Sequence, residues 1–272
     1  MRKPHAVRIK PKQSLGQNFL VDDNIVRNIV RDLDLDRNDA VVEIGPGLGA
    51  LTRELAEHLD SLIIIEIDQR AVEKLSKEFA SSQVTIIHRD VLDVSLKELQ
   101  QRLGRKLRVV GNIPYHLTSP ILFKIFDEHD SVSDLTIMIQ REVAKRILAQ
   151  PGTKEYGILS VLTRWYGTPR MFFTVSPNCF YPKPKVTSTV IQIQLHETIP
   201  YDVRRDVFTA VVKTAFGKRR KVLRNSLAYL PYDEAVVQKI IADHTTVMER
   251  RPEQLSMEEF VNLARLFEEH AE

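Results

Sequence analysis

At 272 residues, with 43% hydrophobic and 28% charged residues, the chain has the composition of a globular protein that can bury a sizeable core. Its net charge of +3 favours no particular partner, and its single cysteine excludes an intrachain disulfide. No run approaches the roughly 18 apolar residues that a membrane span needs, so we expect a cytoplasmic protein without a membrane partner. The basic start, with Arg2, Lys3 and Arg8, is also typical of organellar presequences, but Pro4 and Pro11 argue against that alternative.

Between residues 22 and 195 the hydrophobic pattern alternates between the periodicities of helix and strand. Ile25, Ile29 and Leu33 recur on one face of a first helix, and further helical patterns separate the apolar runs that follow. Short apolar runs bounded by turn residues are typical of buried parallel strands. Their alternation with helices predicts an α/β fold with a doubly wound, mostly parallel, Rossmann-like sheet. The predicted strands are 40–44, 62–67, 84–87, 107–110 and 135–139.

Two features stand out in the later part of this region. Ser119 followed by Pro120 has the pattern of an N-cap and a first-turn proline, which predicts a helix that starts at Pro120. Strand-like runs at 170–175 and 188–195 flank a proline-rich loop at 177–184. Because these runs come late in the chain, they are candidates for antiparallel pairing with the rest of the sheet.

The pattern becomes purely helical after Pro200. Ser256 and Glu259 have the spacing of a capping box at the start of the last helix. We therefore predict two domains: residues 1–198, which hold the sheet, and a small all-helical domain at residues 199–272.

A glycine loop follows the first predicted strand, with Gly45, Gly47 and Gly49 in a G-x-G-x-G spacing that differs from the dinucleotide fingerprint. Glycines allow the backbone to turn and to approach a ligand closely, although a plain tight turn would use them too. Glu66 ends the second strand, where a carboxylate can accept hydrogen bonds from ribose hydroxyls. Asp90 ends the third strand and is a candidate to hold an adenine amine. Each acid alone could be a simple cap, but together they predict a nucleoside cofactor site.

The fourth predicted strand ends in Asn112, Ile113, Pro114 and Tyr115, and this segment carries the sharpest chemical signal. The N6 amine of adenine is a weak nucleophile because its lone pair is delocalised into the ring. Two acceptors that bind its hydrogens, the Asn112 side-chain oxygen and the Ile113 carbonyl, would localise that pair on nitrogen. Pro114 would stiffen the turn, Tyr115 would stack on the base, and no metal would be required. The alternative is an ordinary Asn-x-Pro turn with a half-buried tyrosine.

A second aromatic wall is expected on the other face of the base. Extruding a base from its stack costs a few kcal/mol, and stacking on an aromatic side chain returns roughly 1–3 kcal/mol per base. Phe180, in the proline-rich loop, is the candidate for this wall, and its neighbour Tyr181 is the alternative. A role for Phe180 as an ordinary core residue is an equally open interpretation.

The charge is distributed unevenly along the chain. Residues 225–272 contain 10 acidic residues but only 4 Lys and Arg, so residues 1–224 carry a clear positive excess. A charged face is often only a solvated surface, but a basic surface on the larger part also fits phosphate binding. The candidate RNA-binding residues are Lys218, Arg219, Arg220, Lys221 and Arg224.

At these residues the sequence resembles the rRNA adenine N6-dimethyltransferases. The similarity extends over most of the chain, and an ordered set of motifs of this kind is far more specific than any one of its members. The matching segments are 15–20, 43–49, 112–115, 151–157, 180–186, 219–221 and 224–226.

The resemblance implies a methyl donor and a substrate. The cofactor would be S-adenosyl-L-methionine, and two methyl groups would pass to each of two adjacent adenosines near the 3′ end of small-subunit (16S) rRNA, during ribosome biogenesis. We expect a monomer without a metal, acting on a partly assembled ribosomal subunit. Asn18 and Leu20 are assigned to the cofactor by the resemblance alone. The cofactor contacts that it implies are Asn18, Leu20, Gly45, Glu66, Asp90 and Asn112.

Three alternatives stay open. Ile113 also occurs at this position in large-subunit rRNA adenine methyltransferases of the macrolide-resistance type, which use the same chemistry. A nicotinamide-dependent oxidoreductase would share the fold, but its glycine loop would have the longer spacing. A noncatalytic RNA-binding assembly factor would keep the basic surface without needing Asn112.

Overall fold

The computed structural model describes residues 10–12, 15–81, 83–218 and 221–269. The chain divides into two compact units. The first contains the residues up to Ala144 together with Arg170–Glu197, and the second contains Lys145–Pro169 and the residues from Thr198 onward. Lys145–Pro169, which the sequence assigned to the first domain, therefore packs with the helical unit instead.

The first unit is organised around a mostly parallel sheet. The strands of the described chain are β1 (Phe19–Leu20), β2 (Ala40–Ile44), β3 (Leu62–Glu66), β4 (Val84–His88), β5 (Leu107–Asn112), β6 (Val132–Gln140), β7 (Gly167–Val175), β8 (Phe180–Tyr181) and β9 (Ser188–Leu195). The main sheet has the order β4-β3-β2-β5-β6-β9-β7, and β1 pairs with β8 in a separate antiparallel ribbon.

Strand directions confirm the predicted fold class. The strands from β2 to β6 run parallel to their neighbours, and β9 runs antiparallel to β6. β2 and β3 are buried along their whole length, which explains their unbroken apolar sequences. From β2 the chain moves outward to β3 and β4 and then returns to β5 on the other side of β2. This reversal creates a switch point between β2 and β5, where open α/β sheets bind ligands.

The helices of the first unit connect these strands. They are α1 (Asp23–Leu33), α2 (Ala50–His58), α3 (Gln69–Glu78), α4 (Leu96–Leu103) and α5 (Thr118–Asp127), and α6 (Arg141–Leu148) leads into the second unit. The start of α5 differs from the prediction at Ser119 and Pro120. A 3-10 turn at Tyr115–Leu117 runs directly into α5, so Ser119 lies inside the first helical turn rather than at the cap.

The second unit is helical. Its helices are α7 (Ile158–Tyr166), α8 (Arg205–Gly217), α9 (Leu223–Leu227), α10 (Glu234–Asp243), α11 (Thr245–Met248) and α12 (Met257–Glu268). Trp165 on α7 stacks between Tyr201 and Phe208, with ring centroids 5.0 and 3.8 Å away, which explains why Lys145–Pro169 belongs to this unit.

The predicted capping box of the last helix is present. Ser256 Oγ accepts the Glu259 N–H at 3.2 Å, and Glu259 Oε2 accepts the Ser256 N–H at 2.8 Å. Among the described residues, no helix has both the length and the apolar character that crossing a membrane demands.

Candidate functional site

A cavity lies at the carboxyl ends of β2, β3, β4 and β5, at the switch point of the sheet. All of its lining residues come from the first unit. The N-terminal strap, which we define as residues 15–20, forms one wall, and the ends of the four strands form the others. The predicted site residues that line it are Asn18, Leu20, Gly45, Gly47, Glu66, Asp90, Asn112, Ile113, Pro114 and Tyr115.

The glycine loop needs glycine for its backbone shape. Gly45, Gly47 and Gly49 have φ angles of 66°, 55° and 80°, in the left-handed region that side chains disfavour. A Cβ on Gly47 would also lie 2.9 Å from the ring of Phe19. Above Gly45, by contrast, the nearest atom to such a Cβ is the Asn112 carbonyl oxygen at 4.0 Å. The loop therefore keeps open space in the cavity directly over its backbone.

Glu66 is held rigidly at the end of β3. Its Oε1 accepts the N–H groups of Ile67 at 2.9 Å and Asp68 at 2.8 Å, and its Oε2 accepts the N–H of Gly47 at 3.0 Å. Burial raises the pKa of this carboxyl, while the three backbone donors oppose that shift. A carboxylate has about four acceptor positions, so Oε2 keeps capacity for a ligand hydroxyl.

Asp90 follows β4 and is half-buried at the cavity wall. Its Oδ1 accepts the Leu92 N–H at 2.9 Å and caps the 3-10 turn at Val91–Asp93. The capping role expected as the alternative is thus present, and it occupies only one of the two carboxylate oxygens. Asp90 therefore combines a local structural role with a position on the cavity.

Glu43, on β2, is a buried carboxyl of the cavity wall that was not predicted from the sequence as a site residue. It is 2% exposed, and Thr52 Oγ1 donates to its Oε2 at 2.6 Å. Burial, only partly opposed by that hydrogen bond, raises the pKa of Glu43 to about 8. Glu43 is therefore largely protonated at neutral pH.

This raised pKa predicts a pH-dependent stability. Because the folded pKa of Glu43 lies above its unfolded value, the folded state binds the proton more tightly, and stability falls as pH rises from about 5 to about 8. Glu43→Gln removes that penalty, so the variant gains stability over the wild type by at most about 1.4 kcal/mol per pH unit in this range. Urea unfolding at pH 5.5 and 7.5 measures the difference. If the free energy of unfolding changed equally with pH in both proteins, the prediction would be wrong. The pH dependence would then come from other groups that both proteins keep, such as Glu66, whose pKa is also raised.

The Asn112–Tyr115 segment is oriented by two long-range hydrogen bonds. Asn112 Nδ2 donates to the Asn18 carbonyl at 2.8 Å, so the amide turns its Oδ1 away from the strap. The Tyr115 hydroxyl lies 3.0 Å from Oγ of Ser188, which is fully buried at the start of β9. The half-buried Tyr115 ring is therefore held at the cavity by a residue far along the chain.

Phe180 does not line the cavity. It is 5% exposed and belongs to the hydrophobic core beside Leu20, with which it pairs between β8 and β1. The core interpretation left open from the sequence describes its position, and stacking on a base would require it to move. Tyr181, the alternative, is 52% exposed.

The basic cluster lies in the second unit, and only part of it falls within the described residues. Arg219 and Arg220 lie outside them. Lys218 and Lys221 are exposed, with the Lys218 Nζ 3.4 Å from the centroid of the Tyr229 ring. Arg224 is exposed and forms an ion pair with Glu249.

Comparisons with known proteins agree on one family. Residues 8–268 match the family model described as ribosomal RNA adenine dimethylase. A protein of Alkaliphilus oremlandii named ribosomal RNA small subunit methyltransferase A is 42% identical over 261 residues, which cover 94% of this chain and 91% of that protein.

Two solved structures show the same fold. A dimethyladenosine transferase from Plasmodium falciparum has a TM-score of 0.78 at 21% identity, over 92% of this chain and 97% of that one. The 23S rRNA methyltransferase ErmE has a TM-score of 0.65 at 24% identity, over 91% and 100%. At these identities the likeness establishes the fold alone.

Proposed function

The chain belongs to the ribosomal RNA adenine dimethylase family, and from that premise we propose that it dimethylates two adjacent adenosines near the 3′ end of small-subunit rRNA. Family membership itself makes the protein an rRNA adenine N6-dimethyltransferase that uses S-adenosyl-L-methionine. The choice of the small subunit is supported by the name of the relative that is 42% identical to it.

The cavity has the features that a nucleoside cofactor requires. The open space over Gly45, the acceptor capacity of Glu66 and the position of Asp90 fit the backbone, ribose and adenine parts of such a ligand. Gly47 lets Phe19 of the strap pack against the glycine loop, and the strap residues Asn18 and Leu20 would close over the ligand. When bound, S-adenosyl-L-methionine supplies a methyl group on a sulfonium centre.

The single observation that carries the catalytic proposal is the orientation of Asn112. Because its Nδ2 donates to the Asn18 carbonyl, its Oδ1 is the amide atom available to accept a hydrogen from the substrate amine. The Ile113 carbonyl would accept the second hydrogen, and Pro114 would keep the two acceptors in register. Together they would localise the nitrogen lone pair at the position from which it attacks.

The target base would stack on Tyr115. The hydrogen bond between Tyr115 and Ser188 fixes the ring before a base arrives, so little entropy is lost on stacking. Phe180 remains the proposed second wall only if it leaves the core when the base enters, and the exposed Tyr181 is its rival.

Mass spectrometry of rRNA fragments tests the proposed function. Small subunits from cells that lack this protein are treated with purified protein and labelled cofactor, alongside 23S rRNA from the same cells. Two dimethylated adenosines in a 3′-terminal 16S fragment are expected. Label in the 23S rRNA alone would move the protein to the macrolide-resistance type, and label in neither would make it a noncatalytic assembly factor.

We also propose that the protein acts as a monomer in the cytoplasm, on a partly assembled ribosomal subunit and without a metal. The rRNA partner and the chemistry at Asn112 support this, since neither needs a second chain or a Lewis acid. The described residues hold no group of three or more His, Cys, Asp or Glu side chains suited to a metal ion.

The basic cluster would bind rRNA phosphates. Combining Arg220→Ala with Arg224→Ala is expected to weaken RNA binding. Each cation that is removed leaves one phosphate unneutralised, so one fewer counterion is released from the RNA on binding. The slope of log K against log salt should become less steep by roughly 0.7–0.9 for each phosphate that is no longer neutralised. Filter binding at several salt concentrations measures it, with exposed Arg102→Ala on α4 as the matched control. An unchanged slope would make the cluster a solvated face.

A further inference from the structure

Asp68 is a buried carboxylate next to the cofactor cavity with no role in the chemistry described above. Its side chain is fully buried, yet it lies at the start of α3, two residues after Glu66. Arg70 donates to it through Nη2 at 2.6 Å and Nε at 3.1 Å, and Lys12 Nζ lies 3.2 Å from it. The pKa of Asp68 is held well below its usual range, chiefly by the hydrogen bonds from Arg70. The carboxylate is therefore charged at every working pH.

Asp68 also anchors the N-terminal strap. Gln17 Nε2 donates to Asp68 Oδ2 at 3.0 Å, and Gln17 Oε1 accepts the Lys12 N–H at 2.8 Å. Arg70 Nη1 in turn donates to the Lys10 carbonyl at 2.9 Å. Gln17 of the strap and residues 10–12 before it are thus tied to Asp68, either directly or through Arg70 and Gln17.

The anchored residue adjoins the one that orients the catalytic amide. Asn18 follows Gln17 directly, and its carbonyl accepts Asn112 Nδ2 at 2.8 Å. Gly16, which precedes Gln17, packs so closely against His116 that an added Cβ would lie 3.1 Å from the His116 ring. A shift of Gln17 would therefore move the Asn18 carbonyl, and the Asn112 amide would lose the partner that sets its direction.

We propose that Asp68 and Gln17 are positioning residues, which hold the strap so that the Asn18 carbonyl keeps Oδ1 of Asn112 turned toward the substrate amine. This inference rests on the proposed function, because it concerns the acceptor role of Asn112. It adds that part of the methylation rate depends on the hydrogen bond between Gln17 and Asp68, on the cofactor side of the cavity.

A reversal of hydrogen-bond polarity tests this coupling. Gln17→Glu places two carboxylates together and is expected to lower kcat about tenfold or more at saturating cofactor, since small misplacements of a catalytic group can cost up to about 10²-fold. Asp68→Asn added to Gln17→Glu restores the net charge, removes the repulsion between the two carboxylates and keeps a good N-cap on α3. Because Gln17 Nε2 and Arg70 Nη2 both donate to Asp68 Oδ2, the new amide cannot serve both partners, so the double variant should recover part of the loss.

Two further variants exclude trivial explanations. Gln17→Leu removes the bond without adding charge and should also lower kcat about tenfold, by the same misplacement. Gln101→Glu is the same chemical change at an exposed site on α4 and should leave kcat unchanged. Equal kcat in Gln17→Glu and wild type, or a double variant no better than Gln17→Glu, would overturn the proposal.

Hydrogen exchange reads the anchor independently of catalysis. The amides of residues 16–20 should exchange faster in Gln17→Glu and Gln17→Leu and return toward wild-type protection in the double variant. Unchanged exchange in all variants would refute the anchor even if methylation were normal. A wild-type protein that methylates no rRNA would instead refute the proposed function, while the exchange pattern still decides the anchor.

Discussion

Asn112→Ala is expected to lower kcat for adenine methylation by about 10²–10³-fold, the usual cost of removing one preorganised polar group at a reacting centre. The variant loses the side-chain acceptor for the substrate amine, and only the Ile113 carbonyl remains to localise the lone pair. RNA binding should persist, because the basic cluster is untouched. Single-turnover transfer of labelled methyl groups measures the rate, and filter binding measures the RNA affinity.

The control for this prediction is the same substitution at the opposite end of the sheet. Asn38 is exposed and precedes β2, so Asn38→Ala should leave both the rate and the RNA affinity unchanged. Full activity of Asn112→Ala would end the proposed mechanism. A loss of rate matched by an equal loss of RNA affinity would show that Asn112 contributes binding rather than chemistry.

The strands could be predicted where burial is continuous. The runs 40–44 and 188–195 coincide with β2 and β9, but the run 135–139 is shorter than β6 because Asp134 interrupts the apolar pattern. Arg108 Nε donates to Asp134 Oδ2 at 2.7 Å and compensates the buried charge. A partner on another strand leaves no local signal, so the strand predicted from the pattern starts too late.

The same distinction applies to the site. Glu66, Asp90 and Asn112 were predictable to meet because each ends a strand or closely follows one, and parallel strands bring their carboxyl ends to one edge. The bond from Gln17 to Asp68 joins residues 51 apart, and the bond from Tyr115 to Ser188 joins residues 73 apart. Such pairs have no periodicity, so only the three-dimensional structure reveals them.

Phe180 and Tyr181 are adjacent in the sequence, yet the first is buried and the second is exposed. Adjacent residues of a strand point to opposite faces, so they can differ in burial, although Phe19 and Leu20 of the paired strand are both buried. Pairing with the strap places Phe180 opposite Leu20 and Tyr181 opposite Phe19. That register is a long-range property, and the composition of the loop does not determine it.

Gly111→Ala is expected to destabilise the fold and slow catalysis together. Gly111 precedes Asn112 and pairs with Ile44, and a Cβ there would lie 2.6 Å from the Ile44 carbonyl oxygen. Because the obstacle is backbone, the ends of β2 and β5 must separate, at a cost of about 1–3 kcal/mol for overpacking. Asn112 moves with its strand, and a displacement near 1 Å lowers kcat by up to about 10²-fold.

Urea unfolding and single-turnover rates of Gly111→Ala measure the two effects. Gly217→Ala is the matched control, since a Cβ there meets nothing within 4 Å. Alanine also has a higher helix propensity than glycine, so it should not destabilise the last turn of α8. If the single-turnover rate of Gly111→Ala falls by more than its fraction of unfolded protein explains, the close approach of β2 and β5 is needed for the placement of Asn112. Normal stability would instead mean that the strands accommodate the methyl group, and the tight approach would then have no part in holding the catalytic segment.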